Sequence, residues 1–307
     1  MALLSRENLS RIARRVAGPL RHDRHHDEAL EYWETGTAES EENHYWGAQP
    51  LVRRAINRRI TGDPNVWPMD WFARKYAATP FELGLSAGCG EGALERDLVA
   101  KNVCRMVEGI DFSREALRRA EILAEETGVA SRIRYRTGNL DALALPAAAY
   151  DIVFFHGSLH HVREIENVLS TVHDSLKPGG IVFLDEYLGP ARLEWSDTVW
   201  RFAQAAFESL EPGLKNRPNL MIPLPLDDPS ESVRSSEIAG ELARRFEILE
   251  DRPYGGNILW FTFPCLDMKM LRRDRSGALS RLIALEDHLL ENRWVESYFR
   301  ILVARRK

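Results

Sequence analysis

The chain has 307 residues, 44% hydrophobic and 28% charged, with a formal net charge of -5. That composition excludes a disordered or fibrous protein, and the length makes one large domain or a core domain with substantial additions. The charge lacks the basic footprint that nucleic acid requires, no run of about 18 apolar residues can span a bilayer, and Cys89, Cys104 and Cys265 suggest neither a disulfide framework nor a zinc site.

Residues 1–78 read as mostly helical. They hold an aromatic set, Tyr32, Trp33, Tyr45 and Trp46, followed by Trp67, Trp71 and Phe72 at helical spacing. From Phe81 the period changes: a buried strand over 81–86 is followed by Gly88-Cys89-Gly90-Glu91-Gly92 and a helix over 93–99. A second strand, 104–110, ends at Asp111, and Ser113 caps a helix running to Gly128. Strands over 133–137, 152–155 and 181–184 follow, with a helix near 165–176. Repeated β-α-β of this kind specifies an α/β fold with a mainly parallel sheet covered by helices on both faces. After Leu184 prolines break the pattern until a helix near 236–245, a strand at 246–250 and a last strand at 298–304. Segments 190–235 and 256–295 read as insertions over one rim of the sheet, where substrate sites are usually built. In Arg234-Ser235-Ser236-Glu237, Ser235 or Ser236 is expected to cap the following helix, and Arg234 is a second candidate, for a substrate carboxylate.

Glycines at 88, 90 and 92, between a strand and a helix, permit a tight turn and close backbone approach to a ligand at a helix N-terminus. Asp111 lies 23 residues beyond Gly88 at the end of the next strand, where an acid can take both hydroxyls of an adenosine ribose. The loop letters fit both G-x-G-x-G and G-x-G-x-x-A, so they leave the cofactor undecided. Downstream stand Thr137-Gly138-Asn139-Leu140, Leu145-Pro146, Tyr150 to Phe155, Leu159-His160-His161-Val162 and Leu176-Lys177-Pro178-Gly179-Gly180. In this order and spacing they resemble the class I S-adenosylmethionine-dependent methyltransferases over roughly residues 81–187.

The resemblance implies a Rossmann-like, doubly wound, seven-stranded sheet with an antiparallel last strand, formed by residues 79–307, with residues 1–78 as a helical lid. It implies S-adenosylmethionine as cofactor, with Gly88, Cys89, Gly90 and Gly92 against its methionine and ribose part and Asp111 on the ribose hydroxyls. Phe112 and Leu140 would sandwich the adenine, Asn139 would contact its amino group, and His156 would border the sulfonium. Two positions depart from the pattern: Ser86 stands where the family usually has an acid, and Asn139 where it often has Asp.

Candidates to take a proton from an acceptor are His156, His160, Glu186 and Tyr187 at the carboxyl ends of the fourth and fifth strands. His160 and His161 are adjacent and point in different directions; Glu186 projects opposite to Asp185 and Tyr187. No metal-ligand spacing is present, and no metal is expected. The expected function is methyl transfer to a hydroxyl or amine of a small molecule by a monomer or homodimer in the cytoplasm, with no nucleic-acid or membrane partner. Two alternatives stand beside it: a cyclase in which the cofactor's own amine attacks its methionine side chain and releases methylthioadenosine, motivated by Ser86, and a non-catalytic cofactor-binding module.

Overall fold

The computed structural model describes residues 46–192, 194–222, 228–274 and 276–307. Seven strands, β1 (Phe81–Ala87), β2 (Cys104–Asp111), β3 (Ile133–Thr137), β4 (Tyr150–His156), β5 (Leu176–Tyr187), β6 (Phe246–Gly255) and β7 (Phe299–Arg306), form one sheet in the order β3-β2-β1-β4-β5-β7-β6. The first five are parallel, and β7 runs antiparallel to both β5 and β6. The order reverses between β1 and β4, and in such sheets ligands bind in the crevice outside the carboxyl ends at that point.

The described α-helices are α1 (Pro50–Thr61), α2 (Pro68–Tyr76), α3 (Ala93–Ala100), α4 (Arg114–Glu126), α5 (Ile165–Ser175), α6 (Asp197–Glu208), α7 (Ile238–Arg245), α8 (Ile258–Thr262), α9 (Met268–Arg273) and α10 (Ala278–Glu291). None is long and apolar enough to cross a membrane. Ser113 caps α4 as expected, its hydroxyl accepting from the Ala116 amide at 3.2 Å.

The period of two in β4 and β5 sorts their side chains between two cores. Phe154 and Phe183 point to one face, where both pack edge-on against Phe72 of α2. Val153, Phe155, Val182 and Leu184 point to the other, under α5 and α7. The same alternation puts Asp185 and Tyr187 on the Phe183 side and Glu186 on the Leu184 side. A strand buried on both faces reads as a continuous apolar run, which is how Ile152 to Phe155 appears in the sequence.

Several boundaries differ from the sequence expectation. β5 begins at Leu176, five residues before the expected start, because Leu176 pairs with Tyr150 of β4; the register shift between Tyr150 and Ile152 absorbs Lys177 to Gly180, and β7 pairs with β5 only from Ile181. β6 runs to Gly255 because β7 pairs with it along its whole length. Neither Ser235 nor Ser236 caps α7. Ser235 instead donates to the carbonyls of Gly189 and Pro190, so it ties two loops together, and the turn before the helix has no side-chain cap.

The 256–295 segment is fixed to α1 by one buried carboxylate. Glu286 accepts from the amides of Gly256, Asn257 and Leu259 and pairs with Arg59 at 2.8 Å. Trp46 is buried against Tyr254 and Phe299 at the β6–β7 end; Tyr32, Trp33 and Tyr45 lie outside the described residues.

Candidate functional site

The loop after β1 is built by glycine and by hydrogen bonds to β2. Gly88, Gly90 and Gly92 all have positive φ, and the amides of Gly88 and Cys89 both donate to the Ile110 carbonyl, at 2.8 and 3.0 Å. A Cβ at Gly88 would collide with Cβ of Ser158, whereas one at Gly90 would meet open space. Gly88 is therefore required by close packing of two loops, and Gly90 presents bare backbone to a cavity.

That cavity has a volume of about 350 Å³, inside the usual range of roughly 300–1,000 Å³ for small-ligand sites. Gly88, Cys89, Gly90, Asp111, Phe112, Asn139, Leu140 and His156 all line it, so eight of the residues singled out in the sequence converge on one space from four separate loops. Gly92 is not among its lining residues; it ends the turn, its amide donating to the Cys89 carbonyl at 3.0 Å. Ser86 is buried behind the loop.

Asp111 does two local jobs at this crevice. One carboxylate oxygen accepts from the Gly90 amide at 2.8 Å and the other from the Ser113 amide at 2.9 Å. Burial raises its pKa, against the lowering effect of those amides. Each carboxylate oxygen has a second acceptor site, so bonds to ribose hydroxyls remain sterically and chemically open. Asn139 is turned by its own bond to the Asp141 amide at 3.0 Å, which caps the short turn that carries Leu140.

Glu95, on the first turn of α3, was not singled out in the sequence. It is fully buried, and neither carboxylate oxygen has a hydrogen-bond partner among the described residues. Burial pushes its pKa up, while the neighbouring Ser86 hydroxyl and His156 draw it down. The signal available in the sequence was an acid nine positions after the place where the family's acid is missing.

The four proton-acceptor candidates separate. His156 is mostly exposed in the cavity, with Nε2 3.6 Å from Asp185, whose other oxygen accepts from the Tyr254 hydroxyl at 2.6 Å. His160 and Glu186 lie on the opposite side of β5 and meet directly, Nδ1 to Oε2 at 2.7 Å. The second oxygen of Glu186 accepts from the amides of Ser158 and Leu159, each at 2.7 Å. Tyr187 is buried among Trp260, Tyr298 and Phe299, its hydroxyl donating to the Pro190 carbonyl at 3.0 Å. The structure thus brings His156 to the cavity and holds Glu186 and Tyr187 in packed surroundings.

Beside the cavity, the rings of His160 and His161 pack together, tilted by 38° with centroids 4.2 Å apart. Burial lowers the basicity of His160, but Glu231 and Glu186 more than offset this and its pKa is raised to about 9. Burial and the charge on His160 push His161 down to about 4, so the pair holds one proton near neutrality. Replacing Glu186 by Ala would strip this arrangement of its anchor, leaving two buried amides and a buried imidazolium without their acceptor. The expected cost is about 3–5 kcal/mol, seen as a melting temperature lower by on the order of 10 °C.

Arg234 bridges Glu166 and Glu237, at 2.6 and 2.7 Å, which occupies the guanidinium considered above for a substrate carboxylate. From the 190–235 segment Ser230 reaches the cavity, and no described residue of 46–78 or 256–295 lines it.

Residues 85–182 match the family model of a methyltransferase domain. The chain is 31% identical over 104 residues to a sterol 24-C-methyltransferase of Gibberella zeae, covering 34% of this chain and 27% of that protein. It is 31% identical over 157 residues to the ubiquinone biosynthesis O-methyltransferase of Ralstonia nicotianae, covering 51% of this chain and 58% of that one. The chain thus spans between about a quarter and three fifths of the length of these relatives. Geranyl diphosphate C-methyltransferase from Streptomyces coelicolor shares the fold, with a TM-score of 0.55 at 18% identity over 94% of this chain and 100% of that one.

Proposed function

We propose that this chain, which belongs to the class I S-adenosylmethionine-dependent methyltransferase family and has S-adenosylmethionine as its cofactor, transfers a methyl group to a hydroxyl or amine of a small molecule. The observation that carries the reading is the continuity of one cavity from the Asp111, Asn139 and Leu140 end to His156 and His161. The residues fit the cofactor: Gly90 offers open backbone, Asp111 has acceptor sites to spare, and Glu95 has a buried carboxylate without a partner.

When bound, S-adenosylmethionine supplies an activated methyl group on a sulfonium, so the protein's share is alignment and proton removal. Asp111 holds the ribose hydroxyls, and Phe112 and Leu140 flank the adenine. Glu95, buried beside Ser86, is the acid available to balance the charge of the cofactor's ammonium group in place of the one absent at position 86. That role removes the motive for the self-cyclisation reading, which rested on an unheld amine. His156, exposed in the cavity with the Asp185 carboxylate 3.6 Å from its Nε2, takes the acceptor's proton. An O-methyltransferase among the relatives supports a hydroxyl acceptor.

The test is incubation of the full chain with S-adenosylmethionine and a panel of phenols, hydroxy acids and amines. Equal amounts of S-adenosylhomocysteine and methylated product are expected. His156→Gln should lower kcat by about 10²–10⁴ with unchanged cofactor Kd. Methylthioadenosine as the product, or tight cofactor binding with no turnover on any acceptor, would overturn the reading.

A further inference from the structure

We infer that His160, His161 and Glu231 form a site for one divalent transition-metal cation, of the Zn²⁺, Co²⁺, Fe²⁺ or Mn²⁺ kind, at the edge of the cavity. One donor atom from each of the three residues lies within 4.8 Å of the others. Nε2 of His160 is 3.7 Å from one oxygen of Glu231, and Nε2 of His161 is 3.9 Å from the other. Both separations are too long for hydrogen bonds. Donors about 2.1 Å from a common ion stand roughly 3.0–3.4 Å apart, so side-chain movements of about an ångström close the set.

The hydrogen bonds behind the rings point the same way. Glu186, saturated by two amides, accepts from Nδ1 of His160. Ser230 donates its only hydroxyl hydrogen to Asp228 at 2.6 Å, so at 3.0 Å from Nδ1 of His161 its oxygen accepts. With both rings neutral, as metal binding requires, each therefore carries its proton on Nδ1 and turns the Nε2 lone pair towards Glu231. A carboxylate or hydroxyl behind the distal nitrogen is the support that metal-bound histidines normally have.

Charge supplies an independent reason. Glu186, Glu231 and Asp228 place three carboxylates around these rings, with side chains no more than 13% exposed, and one oxygen of Asp228 is buried without a hydrogen-bond partner. Arg192 stands near Glu231 and offsets one of them. A dication neutralises the remainder. Two histidines and one carboxylate leave coordination positions open, the pattern of sites that bind an exogenous oxygen ligand. His161 and Ser230 both line the cavity, so those positions face it. An oxygen of the acceptor is the ligand they suit; that role rests on the transfer reading above, whereas ion binding does not.

The test uses the full chain stripped with chelator and titrated with Co²⁺ and Zn²⁺, read by visible absorption, calorimetry and melting temperature. One ion per chain is expected, with a Kd on the order of micromolar or tighter and a raised melting temperature. Glu231→Gln and His161→Gln should each weaken binding at least ten-fold and lose the metal-induced rise in melting temperature measured against the same variant without metal. Absence of binding to the wild-type chain, or equal binding by both variants, would overturn the site. S-adenosylhomocysteine affinity measured on the same proteins reports on the transfer reading separately: metal binding without it leaves the site standing and sinks that reading, and the converse result does the reverse.

Discussion

Replacing Asp111 by Ala is expected to weaken S-adenosylhomocysteine binding by at least about 100-fold, close to 3 kcal/mol. Two bonds from a buried carboxylate to ribose hydroxyls account for that loss, since hydrogen bonds to a charged group contribute roughly 1.5–3 kcal/mol each and water recovers part of it in the variant. The side chain also holds the Gly90 and Ser113 amides, so the loop loosens with the substitution. Asp111→Asn separates the two roles, because an amide oxygen still accepts from one of those amides. Calorimetry on both variants decides the point: an affinity within three-fold of wild type for both would remove Asp111 from the ribose.

Glu95→Gln should move stability and binding in opposite directions. Burial raises the Glu95 pKa in the folded chain, so the native state keeps a proton that the unfolded chain releases. Stability is then lost as pH rises from the ordinary carboxyl range through the raised value, and glutamine, with no proton to release, escapes that loss. The variant should match wild type near pH 4 and melt higher at pH 8 in the absence of ligand. Its affinity for S-adenosylhomocysteine should fall by about 10–100-fold, the worth of one charge-assisted bond to the ammonium group. A purely structural glutamate would give the reverse pattern: a lower melting temperature and unchanged affinity.

Much of the nucleoside end of the cavity was legible in the sequence because it depends on short-range rules. A strand, a tight glycine turn and a helix within 20 residues, followed by an acid closing the next strand, determine where Gly88, Gly90 and Asp111 sit whatever surrounds them. Strand parity likewise separated Glu186 from Asp185 and Tyr187. The bounds of β5 and β6 were shorter in the sequence than in the fold, since β4 and β7 beside β5, and β7 alone beside β6, extended them past their own apolar runs.

Local chain pattern alone was enough for the α/β class, the parallel order implied by repeated β-α-β, the glycine loop and most of the residues that converge on the cavity. The tertiary structure decided which polar groups meet across long separations. Glu95 stands beside Ser86 because α3 packs back over β2, next to β1, and His160 and His161 meet Asp228, Ser230 and Glu231 some 70 residues on because the loop before α7 returns to the end of β4. Turns and periods are set by neighbours in the chain. Partners of a buried charge are set by whichever segments packing brings within a few ångströms, and no local pattern encodes that choice.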